Sequence, residues 1–242
     1  MDRTDVDDLW VFLNKHGISK VSEIKVHDSG FFTIKQGRDN MNHDFYGYYE
    51  EFNLNLMRVM LIVEDLIKIP IKNEEDFNIK FQLYSEVVII LLMGSLEAFL
   101  RDTFVAIISN IKNYKTKLRE DTTLRNLFEK VKANKPIFQE KSSLKQAYSS
   151  IDINLFELIG NEIWKRIFSK GELDSKNKVT GYMTIRHNFI HGGISKTLYK
   201  QIILNEKIIH TAIRDVVMVG YIIQINIPDY TFSREFDWVS SH

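Results

Sequence analysis

The stretch Thr184–Gly193 reads TIRHNFIHGG and places Arg186, His187 and His191 within six residues. An arginine supplies a permanent cation, and each histidine can take or give a proton near neutral pH. If Val179–Ile190 is helical, the Gly192–Gly193 pair is a natural left-handed stop for it. His187 and His191 then lie on one face, one turn apart, and the long side chain of Arg186 reaches the same groove edge. His191 falls in the last turn, where the helix dipole favours the protonated imidazole. Imidazolium beside guanidinium is suited to engaging phosphate.

Three uses of such a cluster compete. It can be the polar end of an ordinary helix, with its histidines bonded to backbone or carboxylates. It can offer two metal ligands at i and i+4, but Asn188 stands where a zinc-protease helix carries its glutamate. Or it can cleave phosphodiesters without a metal, which needs a base, an acid and a charge stabiliser. Spacing alone leaves the choice open.

The elements that must position the cluster are mostly helices. Asp7–His16 reads as a short amphipathic helix stopping at Gly17, and two β-like runs flank an Asp28-Ser29-Gly30 turn. From Asp44, the series Phe45, Tyr49, Phe52, Leu56, Val59, Met60, Val63 and Leu66 has helical spacing, and the helix should end before Pro70. This stripe reads as core. The next helix runs from near Asp76 to Asn110 and is apolar almost all round at first, as befits the centre of a bundle. On it Glu97 and Arg101 stand four apart and can pair.

Residues 112–150 are mixed, with lysine-rich segments that read as a solvated face, a short helix around Leu124–Val131 and Pro136. One helix is expected near Leu155–Ser169, with Leu155, Leu158, Ile159, Ile163, Ile167 and Phe168 at core spacing. A polar linker, KGELDSKNK, precedes the motif helix, and a last helix spans about Leu204–Asn226. The expected fold is all-α: an up-and-down helical bundle over residues 41–242, with short extra helices. Residues 1–40 form a small N-terminal appendage that can contain a β-hairpin.

Composition narrows the setting. Of 242 residues, 44% are hydrophobic and 26% charged, with three prolines and eleven glycines, which suits one globular domain. Thirty-two basic residues balance 32 acidic ones, so any phosphate contact must come from a local patch. With no cysteine, disulfides, Cys-based metal sites and a thiol nucleophile are excluded. The acidic start MDRTDVDDLW lacks a signal-peptide core, and the longest apolar runs, VVIILLM and VVMVGYII, fall short of the roughly 18 residues a bilayer span requires. A cytoplasmic protein without membrane contact is expected.

RHNFIH resembles the Arg-X4–6-His motif of the HEPN superfamily, helical-bundle proteins common in prokaryotic defence and RNA processing. His187 meets that family's preference for Asn, Asp or His after the arginine. MGSLEAFLRDTF is similar to the family's second-helix pattern, and the following Gly-Gly is similar too. The resemblance spans roughly residues 44–226. It implies a homodimer whose two motif helices face one cleft, each subunit giving Arg186, His187 and His191.

The implied activity is metal-independent endoribonuclease cleavage, with no cofactor and RNA as substrate. The ribose 2′-hydroxyl attacks phosphorus, His191 acts as base or acid, and Arg186 neutralises the phosphorane. His187 touches substrate or orients its partner; Asn188 is a weaker candidate contact. Glu97 is a candidate orienter that reaches Arg186 from the central helix. A toxin or phage-defence role follows, with an antitoxin or regulatory protein as a further partner. The alternative is a non-catalytic HEPN-like module that binds RNA, a nucleotide or a protein. Were the chain the target of a partner transferase, Tyr182 would be a candidate acceptor.

Overall fold

The computed structural model describes residues 3–16, 21–26, 32–36, 47–68, 74–110, 112–133, 135–169, 181–190, 204 and 206–226. Over these residues the chain is an all-α helical bundle with a short hairpin between its first two helices. In chain order α1 is Arg3–Lys15, α2 Gly47–Lys68, α3 Glu74–Asn110, α4 Lys112–Glu120 and α5 Thr122–Lys132. After a 3-10 turn at Ile137–Gln139 come α6 (Lys141–Ser149), α7 (Leu155–Ile159), α8 (Asn161–Phe168), α9 (Tyr182–Ile190) and α10 (Glu206–Asn226). Strands β1 (Val21–Val26) and β2 (Phe32–Gln36) pair antiparallel, Ile24 opposite Ile34, with an irregularity between Val21 and Glu23. The Asp28-Ser29-Gly30 turn between them lies outside the described residues.

The 37-residue α3 is the central post, packed by α2, α9 and α10. Its Val88, Ile89, Leu92, Met93, Leu96, Leu100 and Phe104 are buried, whereas Ile79, Leu83, Val87 and Leu91 are exposed at four-residue intervals. Apolar residues therefore occupy every side of its first half. From α2, Phe52, Leu56, Val59, Met60, Val63 and Leu66 enter the same core. Phe45, and the side chain of Tyr49, are outside the described residues. Segments of α3 and α10, Ile79–Ser109 and Glu206–Asn226, are long and apolar enough to cross a bilayer by length and composition, more than uninterrupted run length suggested. Half of each segment's most apolar window is buried inside the bundle, as core helices require.

Gly220 sets a close approach between helices. A Cβ on Gly220 of α10 would lie 2.1 Å from Cε1 of Phe52, and the Phe52 ring stacks on Phe99 at 4.5 Å. Helix α1 joins the core through Val6, Leu9, Trp10 and Leu13 and packs on α2 and α10. There Trp10 Nε1 donates to Glu64 Oε1 at 2.6 Å.

The single helix expected near Leu155–Ser169 is two helices. Gly160 takes a left-handed backbone, φ +88°, where its N–H bonds Phe156 O and ends α7. A side chain is strained in that conformation, so glycine marks the break. The change of axis interrupts the apolar register, and Leu158, expected in the core, is exposed, while Trp164 is fully buried. The segment KSSLKQAYS, left without a helix in the sequence reading, forms α6. Its Leu144, Ala147 and Tyr148 reach the core, and Tyr148 donates to Leu100 O at 2.7 Å.

Candidate functional site

Helix α9 carries Arg186 and His187 and is held at three places. At its start, Gly181 N donates to Ser169 O at 2.8 Å, and Thr184 Oγ1 donates to the same carbonyl at 3.2 Å. A Cβ on Gly181 would sit 2.4 Å from Ser169 N and 2.8 Å from Ile167 O, so only glycine lets the two backbones meet this closely. On its inner side, Tyr182, Met183 and Ile185 are buried. Beneath it, Asp215 of α10 accepts from Arg166 Nε and Nη2 of α8 at 2.6 and 2.7 Å, and from the Tyr182 hydroxyl at 3.1 Å.

That cluster ties three helices together at one nearly buried carboxylate. Its hydrogen bond to Asp215 raises the Arg166 pKa. Burial first, and the Asp215 charge second, push the Tyr182 phenol well up. Tyr182 is only 3% exposed, so the residue considered as a modification acceptor is a packing and hydrogen-bonding element.

Arg186 lies between α9 and α3. Its Nη1 donates to Glu97 Oε2 at 2.8 Å, with both side chains less than a fifth exposed. Gln139 Nε2 donates to both Glu97 oxygens at 3.1 and 3.2 Å, closing a three-residue network from three elements. The Arg186 Nε is buried and has no hydrogen-bond partner among the described residues. The alternative pairing of Glu97 with Arg101 is not formed. Arg101 turns instead to Asp102, its Nε 2.7 Å from Oδ1, and that bond raises the Arg101 pKa.

Outside this network lies an open cavity of about 920 Å³ between α6 and α9. It is lined by Gln139, Glu140, Lys141, Ser142 and Lys145 at and just before α6, by Met183, Thr184, Arg186, His187 and Ile190 of α9, and by Phe168 of α8. His187 and Ile190 are exposed on the outer face of α9, and Asn188 is half-buried and outside the cavity lining. Hence the structure brings Arg186, His187 and Glu97 to one place and leaves Asn188 off it. His191, Gly192 and Gly193 lie outside the described residues, as does the start of the expected motif helix at Val179.

Sequence reasoning missed the α6 wall and Gln139. The signal was present: Leu144, Ala147 and Tyr148 have i, i+3, i+4 spacing, and Lys141 and Lys145, four apart, fall together on one flank of that apolar stripe. The site thus offers an oriented guanidinium, an imidazole, two amines and a hydroxyl around a space large enough for a nucleotide-sized ligand. Comparison with protein-family models, with curated proteins and with solved structures finds no match to this chain.

Proposed function

We propose that this protein is a metal-independent endoribonuclease of the HEPN type, acting as a homodimer in which two α9 helices border one cleft. The observation that carries the reading is Arg186, held by Glu97 and Gln139 beside His187 at the edge of a cation-lined cavity. An arginine fixed from behind offers charge to a phosphorane without having to reorganise. The exposed Ile190 on the same helix supports an α9 surface covered by a second copy.

In the proposed reaction the 2′-oxygen of one ribose bonds to the adjacent phosphorus as the P–O5′ bond breaks. One imidazole removes the 2′-proton and another protonates the departing 5′-oxygen, leaving a 2′,3′-cyclic phosphate and a 5′-hydroxyl. His191 takes the acid or base role, on the strength of the motif alone. A general acid or base contributes on the order of 10²–10⁴ in rate. A cytoplasmic toxin or defence effector, restrained by an antitoxin or regulatory protein, is the setting that suits this chemistry.

A second reading has its own observation. Arg186 already has a carboxylate partner, as an arginine would whose task is to dock α9 on α3. The protein would then be a non-catalytic binding module. Incubating purified protein with a mixed RNA pool in EDTA, beside His191→Ala, separates the two. Cutting that is lost in the variant supports the nuclease; intact RNA with both proteins supports the module.

A further inference from the structure

Helix α6 has no role in the motif chemistry, yet it gives Lys141, Ser142 and Lys145 to the cavity lining. Lys141 and Lys145 are one turn apart on it, about 6 Å along the axis, comparable to the step between phosphates of an extended strand. Both are exposed and line the same cavity as Arg186 and His187. Among the described residues neither makes an ion pair; Lys141 Nζ sits 5.2 Å above the Phe156 ring. A cation engaged only by a ring face remains available to an anion.

Glu140 contributes one carboxylate, and Glu97 offsets Arg186 from behind, so Lys141 and Lys145 leave these groups with a single net positive charge. The Ser142 hydroxyl lines the same wall. Glu140, the residue preceding α6, makes no side-chain cap bond, so its carboxylate does not occupy the first N–H groups of the helix. The cavity is several times larger than one phosphate needs and too open to enclose a small ligand.

We propose that the α6 wall is a subsite for the RNA backbone, in which Lys141 and Lys145 hold phosphates neighbouring the one presented to Arg186. The proposal rests on the nuclease reading and adds the surface that orients the strand across α9. Lys141 and Lys145 bind; they take no part in bond breaking. Recognition is of charge, so base identity is read weakly here.

The test uses a short 2′-O-methyl oligouridylate, whose blocked 2′-oxygen prevents cleavage. Its affinity for the full-length protein is measured over a range of salt concentrations, beside the Lys141→Gln/Lys145→Gln double variant. The double variant should bind on the order of tenfold more weakly, and its salt slope should fall by about 1.4, two contacts at ~0.7 each for a single strand. The Lys141→Arg/Lys145→Arg variant should restore binding, showing that charge and not folding is at stake. Unchanged affinity and slope in the glutamine variant overturn the subsite. If wild type still cleaves RNA in that case, the nuclease reading stands alone. Wild type that neither binds this strand nor cleaves RNA overturns both. Uridine monophosphate or inorganic phosphate binding as tightly as the strand makes the wall a small-anion site and also overturns the proposal.

Discussion

Glu97 and Arg186 are 89 positions apart in the chain and meet at 2.8 Å, joining the central post of the bundle to the helix that carries the motif. Removing the Glu97 charge leaves a largely buried guanidinium with weaker partners. The Glu97→Gln variant should lose about 1–3 kcal/mol of stability, read from denaturant unfolding. Under the proposed nuclease reading, its RNA cleavage at a temperature where it stays folded should fall below wild type through kcat, because Arg186 is no longer aimed.

Gly181 controls the approach of α9 to α8. Gly181→Ala forces a methyl against the Ser169 and Ile167 backbones, which no side-chain rotation relieves. A cost of about 1–3 kcal/mol is expected, the scale of overpacking. The effect should extend to Arg186, since the start of the helix must move. A crystal structure or chemical-shift map of the variant would show displacement along α9 with α2 and the outer part of α10 unchanged.

The Asp215 cluster gives a pH signature. The Tyr182 phenol is raised above its ordinary value of 10, so the folded state keeps a proton that the unfolded chain releases. Its contribution is complete below pH 10 and is lost as pH rises beyond it. Tyr182→Phe should cost about 1 kcal/mol at neutral pH for the lost bond to Asp215. The gap between variant and wild type should narrow above pH 10 in parallel melts. A constant gap would mean that neither burial nor Asp215 raises the phenol on folding.

Much of the scaffold was legible because burial imposes long periodic patterns. The stripe from Phe52 to Leu66, the apolar run of α3 and the face of α10 each repeat over several turns. Local backbone events were not. Gly160 sits inside a pattern that reads as one continuous helix, and only its positive φ reveals the break. Gly181 has no sequence signal, since its constraint is the backbone of α8. The site was half legible: Arg186 and His187 stand out by type and spacing. The partnership of Glu97 with Arg186 over Arg101 was settled by three-dimensional proximity, which helix spacing cannot rank.

In the proposed mechanism the chain cuts RNA by internal attack of the 2′-hydroxyl, using Arg186 and His191. The most direct measurement is the chemistry of the 3′ ends made from a defined RNA in EDTA by wild type, His191→Ala and Arg186→Ala. That mechanism leaves 2′,3′-cyclic phosphate ends from wild type, with cleavage falling on the order of 10²-fold or more in the His191 variant. Free 3′-hydroxyl ends, or cleavage undiminished in both variants, would contradict it.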